Sequence, residues 1–371
     1  MNRLKYAALC LLLLLLTACG GGEGAPGLSG REPVGSMDLR YATQFSVDYY
    51  EGGYAEISIG EDRFLLVPEG APVPEDAEIP VLVQPLTDIY LASSSVMDLF
   101  LRLDALDAVT MTSTSAESWT IPEIAEAVRT DEILYVGKYS APDYEVVLDM
   151  NCHLAVENTM IYHSPETKEK LEALNIPVLV ERSSYEPEPM GRVEWIKLYG
   201  LLTGRLEQAE AFFDQSVRQI TEAEAGENTG KTAAFFYFTA NGSVNVRKPG
   251  DYIVRMIELA GGNYALKDLE SDDSGATSSM NMELEAFYAG AKDADVLIYN
   301  STVDGGVTSL ADLLKRAPML ADFKAVQEGN VYCTEQNLFQ QVSGTADMIS
   351  DLRAVFSEDS ERSLTYLYRL E

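Results

Sequence analysis

Histidine and cysteine are scarce in this 371-residue sequence. His153 and His163 are the only histidines, and the four cysteines (Cys10, Cys19, Cys152 and Cys333) form no Cys-x-x-Cys pair. A structural zinc site, or a free-metal site built from several imidazoles and carboxylates, is therefore disfavoured. Positive charge is also short: 27 Lys and Arg stand against 59 Asp and Glu, a net charge of −32. That balance argues against a nucleic-acid partner, which needs a basic surface, and suits a body that stays dispersed in solvent. No Gly-x-Ser-x-Gly, no Gly-x-x-x-x-Gly-Lys-Ser/Thr and no metal-spaced histidine pair occurs. The chain offers no constellation for nucleophilic, phosphoryl-transfer or metal-assisted chemistry, and no enzyme activity or cofactor is expected. Long apolar runs are missing too. The one at residues 6–16 falls short of the roughly 20 residues a membrane-spanning helix requires.

What that run does fit is an export signal. Arg3 and Lys5 precede it, and Leu16-Thr17-Ala18-Cys19 followed by three glycines ends it. The pattern resembles a bacterial lipobox, which implies cleavage after residue 18, lipid on Cys19 and an extracytoplasmic protein anchored to the cell membrane. Residues 19–37 read as a flexible tether. Cys152 and Cys333 then remain, one in each half, read as isolated structural thiols, with a disulfide between the halves as the alternative.

The rest of the chain reads as two alternating patterns around one helix. "FSVDYYEGGYAEISI" carries a hairpin signal at Glu51-Gly52-Gly53, so residues 38–80 form an N-terminal β extension. Residues 81–188 alternate short strands ("DIYLAS", "AVTMT", "EILYVG", "HLAVEN", "IPVLVE") with helices, the sign of a parallel α/β layer. Residues 226–371 repeat the alternation, from "TAAFFYFT" to "TADMISDLRAVF". Between them, Val193, Ile196, Tyr199, Leu202, Leu206, Ala209, Phe213, Val217 and Ile220 recur at three- or four-residue steps, one face of a long helix over 189–225. Gly200 and Gly204 weaken it locally. The expected fold is α/β: two Rossmann-like lobes with parallel sheets joined by one long helix, plus the N-terminal β-hairpin extension.

From about Ile89 to Phe356 the chain resembles the ABC-transporter substrate-binding proteins for iron–siderophore complexes, cobalamin or haem, the helical-spine class. The resemblance lies in "DIYLASSSVMDLFLRLDALDAVTMTST", in "SPETKEKLEALNIPVLV", in "GRVEWIKLYGLLTGRLEQAEAFFD" and in "MIELAGG". It implies a monomer that captures a metal chelate between two lobes and delivers it to a permease with its ATPase subunits. It also implies one docking glutamate per lobe. Glu145 in "PDYEVVLDM" matches the first and Glu285 in "MELEAFY" the second, with Glu283 as fallback. The extension at 38–67 is not part of that pattern.

Ligands of open α/β sheets bind beyond the carboxyl ends of the strands. That rule selects the cleft loops. First-lobe candidates are Ser94, Trp119, Lys138, Tyr139, Asn158, Tyr162, His163, Arg182 and Tyr185. Second-lobe candidates are Tyr237, Asn241, Arg247, Tyr299, Asn337 and Phe339. Lys138, Arg182 and Arg247 would face an anionic ferric chelate of siderophore type. Tyr162 and His163 would instead supply an axial haem ligand. Cobalamin or haem in the same architecture is the alternative ligand, and a binding or adhesion lipoprotein without a transporter is the alternative role.

Overall fold

The computed structural model describes residues 32–75, 77–224, 226–269, 279–303 and 305–371. The expected signal at 1–18, the expected lipid site Cys19 and the expected tether as far as residue 31 lie outside the described residues; the last residues of the expected tether are not one, since Gly35 and Ser36 pair with a neighbouring strand and Met37 is buried.

The extension is more than a hairpin. β1 (Gly35–Ser36), β2 (Phe45–Tyr49), β3 (Ala55–Ile59), β4 (Asp62–Val67) and β5 (Val81–Val83) form one five-stranded sheet in chain order. The first three pairings are antiparallel and β4–β5 is parallel. Alternation along β3 puts Ala55, Ile57 and Ile59 into the core, as a strand with one dry face requires.

The first lobe follows the expected alternation. It comprises β6 (Ile89–Leu91), α1 (Met97–Arg102), β7 (Val109–Thr112), α2 (Pro122–Arg129), β8 (Leu134–Tyr135), the small hairpin β9 (Gly137–Lys138) and β10 (Ala141–Pro142), α3 (Tyr144–Asp149), β11 (Leu154–Asn158), α4 (Pro165–Ala173) and β12 (Val178–Glu181). Pro122 and Pro165 open their helices, where the missing N–H costs nothing. The sheet order is β12-β11-β6-β7-β8, all parallel. The order reverses between β6 and β11, so the crevice of this lobe lies where those two strands end, at Ser93 and Asn158.

The spine is not one helix. α5 (Pro189–Leu202) and α6 (Leu206–Glu224) are separated at Thr203-Gly204-Arg205, where Gly204 has φ +73. Lys197 Nζ lies 4.6 Å from the centre of the Phe213 ring, and a Cβ on Gly200 would meet the Ala209 Cβ at 2.6 Å. Residues sixteen apart on one continuous helix would stand about 24 Å apart. The second helix therefore folds back along the first, and glycine at 200 lets the two backbones approach. α5 and α6 together carry the chain from the first lobe to the second. All fourteen residues of α5 are buried. Trp195 packs on Phe45 of the extension and Tyr199 on Phe100 of α1, while Arg192 lies on Tyr252 of the second lobe.

The second lobe is built from β13 (Thr232–Phe238), β14 (Val244–Arg247), α7 (Tyr252–Leu259), β15 (Asn263–Tyr264), β16 (Ser279–Met282), α8 (Leu284–Ala291), β17 (Val296–Tyr299), α9 (Leu310–Arg316), α10 (Lys324–Glu328), β18 (Val331–Thr334), α11 (Thr345–Ser357) and β19 (Leu367–Arg369). Its centre, β15, β13, β17 and β18, is parallel. Its flanks are not: β14 returns antiparallel on β13, β16 on β14 and β19 on β18. The fully parallel sheet expected here is thus a mixed one. Cys152 and Cys333 are both buried and no disulfide joins them, which goes against the alternative of a bridge between the halves.

Two buried carboxylates fasten the extension to the spine. Glu194 of α5 accepts the backbone N–H groups of Arg40 (3.0 Å), Tyr41 (2.7 Å) and Ala42 (2.8 Å), and the Lys197 ammonium at 2.7 Å. Glu186 accepts the N–H of Thr43 (2.9 Å) and of Gln44 (3.0 Å), the Thr43 hydroxyl and the Trp195 indole. Removing one partner of such a cluster leaves donors and a cation without compensation, at a cost of about 3–5 kcal/mol. Glu194→Ala is expected to lose that much in urea unfolding and to expose residues 38–44 to proteolysis. A loss below about 1 kcal/mol would show that the carboxylate does not hold the loop.

Candidate ligand-binding site between the lobes

The ends of β6 and β11 meet as the topology requires. Asn158 caps the turn after β11 by accepting the Met160 N–H at 2.9 Å, and its amide donates to the Ala92 carbonyl at 3.4 Å. Ser93 donates to the buried Glu181 carboxylate at 3.2 Å. Ser94 is half-buried beside it, Lys138 is exposed, and Tyr139 is half-buried in the β9–β10 hairpin. Tyr162 and His163 are exposed in the turn after β11. On the second lobe, Arg247 at the end of β14 lies 5.5 Å from the Phe235 ring centre and 5.1 Å from that of Phe339, within 3.8 Å of Asp251. Asn337 donates to Gln341 at 2.7 Å, and Tyr237 is half-buried on β13.

Other expected cleft residues are placed elsewhere. Tyr299 is fully buried, edge-on to Phe236 at 5.5 Å, and its hydroxyl accepts from Arg316 at 3.0 Å. Tyrosine at a strand end has an apolar ring, and here the ring joined the core. Trp119 is also buried, its indole N–H donating to the Thr114 carbonyl at 3.1 Å. Asn241 sits in the exposed β13–β14 turn and holds that turn together, accepting from Ser243. Arg182 is turned to the extension: it donates to the Gln44 side chain at 3.3 Å and the Tyr162 hydroxyl at 3.4 Å, and lies over Tyr185 at 5.1 Å. Glu145 and Glu285 are each exposed in the first turn of a helix, α3 and α8, one per lobe. There the helix dipole favours a carboxylate.

Sequence reasoning missed the residues that hold the lobes together. Gln340 accepts the Thr120 N–H at 2.8 Å and its hydroxyl at 2.6 Å, and donates to the Ser118 carbonyl at 2.8 Å. Asp98 of α1, fully enclosed, accepts the Ser343 N–H at 2.9 Å, and Arg102 donates to the Ser343 hydroxyl at 3.2 Å. Arg192, one of two buried cations of α5, was missed as well. A polar residue within an apolar helical pattern gives no sign of whether it faces solvent or a second lobe. Gly230-Lys231-Thr232, which has the letters of a phosphate loop, leads from α6 into a strand; a phosphate loop leads from a strand into a helix.

The extension and the first lobe enclose a separate groove of about 560 Å³, lined by Phe64, Ile79, Val81, Ile176 and Val178. Lys168 bridges Asp62 (3.2 Å) and Glu172 (3.0 Å) nearby. The groove lies where β5 and β12 begin, at the end opposite the cleft loops.

This architecture, two α/β lobes whose strand ends face one another across a helical spine, is that of the periplasmic binding proteins. The sequence profile of that family matches residues 89–338, and the chain belongs to it, in the class that serves siderophores, haem and vitamin B12. The family binds ligands and does not transform them, and its members work with ABC-transporter permeases. Over 353 residues the chain is 23% identical to an uncharacterized lipoprotein, MJ0878, of Methanocaldococcus jannaschii, covering 87% of this chain and 82% of that one. The periplasmic haem-binding protein HutB of Vibrio cholerae superposes with a TM-score of 0.58 at 17% identity, over 72% of this chain and 98% of its own. The petrobactin-binding protein YclQ of Bacillus subtilis gives 0.58 at 13% identity, over 73% and 93%. The profile begins at the first residue of β6, so the extension lies outside it. No helix among the described residues is long and apolar enough to cross a membrane.

Burial pushes the Asp98 carboxyl up to about 6, against the opposing pull of the Ser343 donors and Arg102. The folded protein therefore holds this proton more tightly than the unfolded chain does. The stability that the protonated form contributes is complete below about pH 4 and is lost as pH rises through 6, about 3 kcal/mol by neutrality. Asp98→Asn keeps an acceptor for the Ser343 N–H without the charge. The stability gained on substitution, from urea unfolding at pH 4, 5, 6 and 7, is expected to grow with pH; a difference independent of pH would refute the assignment.

Proposed function

We propose that this protein is the lipid-anchored substrate-binding component of an ABC importer and that it captures an iron chelate of siderophore type between its lobes for delivery to the permease. The observation that carries the ligand class is Arg247, a guanidinium set between the Phe235 and Phe339 rings in a chain of net charge −32. A cation amid aromatic faces suits a large, flat or three-bladed anionic complex, because guanidinium binds chelate oxygens and the rings cover the apolar frame. Ser94, Lys138, Tyr139 and Asn158 would contribute from the first lobe, Tyr237, Asn337 and Phe339 from the second. The petrobactin-binding function named for one structural neighbour is consistent with this reading. Glu145 and Glu285 would dock on arginines of the two permease subunits, and Cys19 would carry the lipid.

A specific observation favours haem as the second reading. Tyr162 and His163 are exposed together at the end of β11, and either could approach an iron from one side.

Titration of residues 20–371 with ferric siderophores, hemin and cyanocobalamin, followed by Trp and Tyr fluorescence, is expected to show saturable one-to-one quenching with Kd below about 1 µM for one of the three. Absence of any response would remove the proposed ligand class. Reversing both Glu145 and Glu285 to Arg is expected to abolish uptake and spare binding; uptake that survives would favour a binding lipoprotein without a transporter.

A further inference from the structure

The groove between the extension and the first lobe has a strand edge in each of its walls. In β5 the Pro80 carbonyl accepts from the Leu65 N–H and the Gln84 N–H donates to the Val67 carbonyl, both at 2.9 Å. Residues 80, 82 and 84 therefore face β4, and Val81 and Val83 turn their N–H and C=O groups the other way. β5 is the last strand of its sheet, so that side is an open edge. β12 is likewise the edge of the first-lobe sheet. Its Pro177 carbonyl accepts from Ala155 at 2.9 Å, so Val178 turns outward. Among the described residues none of these outward backbone groups has a hydrogen-bond partner. Val81 and Val178 both line the groove, with the buried Phe64 and Ile176. Its rim carries more carboxylate than cation. Arg63 is held by Glu56 through two hydrogen bonds, at 2.8 and 2.5 Å. Lys168 is shared between Asp62 and Glu172. Glu61, exposed in the lining, is in no ion pair among the described residues.

We propose that this groove docks an extended basic segment of a partner protein, which adds a strand along the free edge of β5. An open edge is a template for one more strand. Segments recognised in this way draw affinity from main-chain hydrogen bonds and specificity from the surfaces that meet their alternate side chains. Val81 and Val83 supply the main-chain groups. The apolar lining suits alternate aliphatic residues of the segment, and Glu61, Asp62 and Glu172 suit lysines or arginines between them. A second copy of this chain is the wrong occupant, because at a net charge of −32 it would bring carboxylates to carboxylates. The groove lies at the end of the first lobe away from the cleft loops, so a partner seated there leaves the cleft open, and docking does not require the cleft to be filled. One wall is the extension, which lies outside the stretch shared with the family. The partner therefore reads a surface that the family region alone does not form.

The probe is the peptide acetyl-KVKVKVK-amide carrying a fluorescein, titrated with residues 20–371 and followed by anisotropy. Saturable one-to-one binding is expected, with Kd of about 10–100 µM, and hydrogen exchange should slow at the Val81 and Val83 amides. The same peptide N-methylated at every residue keeps its charge but donates no main-chain hydrogen bond, and it should bind at least about tenfold more weakly. Val81→Pro removes one outward N–H at a position where an edge strand accepts proline. It should keep the wild-type circular dichroism and weaken the unmodified peptide by about tenfold. Reversing both Glu61 and Glu172 to Lys should weaken it by a similar factor. No saturable binding up to about 1 mM, or exchange unchanged at Val81 and Val83, overturns the docking groove. So does equal binding of the two peptides, which would mean bare charge attraction to an acidic chain. Binding unchanged in a folded Val81→Pro, or in the charge-reversed variant, overturns it as well. The N-methylated peptide leaves the protein untouched, so that comparison decides the matter should Val81→Pro fail to fold.

Discussion

A helix buried on every side must settle its own charges, and this constraint organises the molecule. α5 runs between two lobes and beneath an added sheet, so Arg192, Glu194 and Lys197 have no water to turn to. A buried charge that lacks a partner costs several kcal/mol. The loop at residues 40–44 answers the negative charges with a row of backbone N–H groups, and its tight path over the spine follows from the need to point five consecutive amides at two carboxylates. The position of the extension follows from that loop. The aromatic layer of Phe45, Trp195, Tyr199 and Phe100 then packs in the space left between them.

The same constraint governs how the lobes relate. The chain passes between them through α5 and its fold-back partner α6, which lies against α5 and against α11. The lobes are further tied by Gln340 to Ser118 and Thr120, and by Asp98 to Ser343. These contacts are polar and few, and the joint between them is a rigid, dry helix. Such a joint permits small changes of angle and resists wide opening, unlike a joint of extended strands that absorbs large backbone rotations. A single apolar core runs from Val47 and Phe64 of the extension through Trp195 and Ile196 to Phe236 and Leu352 of the second lobe, so the three parts share one packing arrangement.

Much of this was legible in the letters. The first lobe's strands and helices follow from alternation and from proline and aspartate at helix starts, both local signals. The fold-back of the spine was not legible, because apolar residues keep their three- and four-residue steps through Gly204; the period says which face is dry and not whether the helix turns. The antiparallel returns β14, β16 and β19 are short runs whose pairing is decided by neighbours far along the chain. For the site, the rule about strand ends chose Ser94, Asn158 and Arg247, which do lie at or just beyond strand ends, but it also chose Tyr299, whose ring had a core to enter, and Arg182, which the extension captured through Gln44. Arg192 escaped because burial of a helical arginine is a tertiary fact.

The sheet at residues 35–83 lies outside the stretch shared with the family, yet the shared stretch here cannot dispense with it. Glu186 and Glu194 sit within the family region, and of their donors only the Trp195 indole and the Lys197 ammonium come from that region; the five backbone amides and the Thr43 hydroxyl come from the added segment. Shedding that segment would strand two ionised groups against Trp195 and the core. Once the acidic pair was in place beneath its cover, deletion of the cover ceased to be a neutral step. The accessory part has become entrenched, and descendants that keep Glu186 and Glu194 are committed to keeping it.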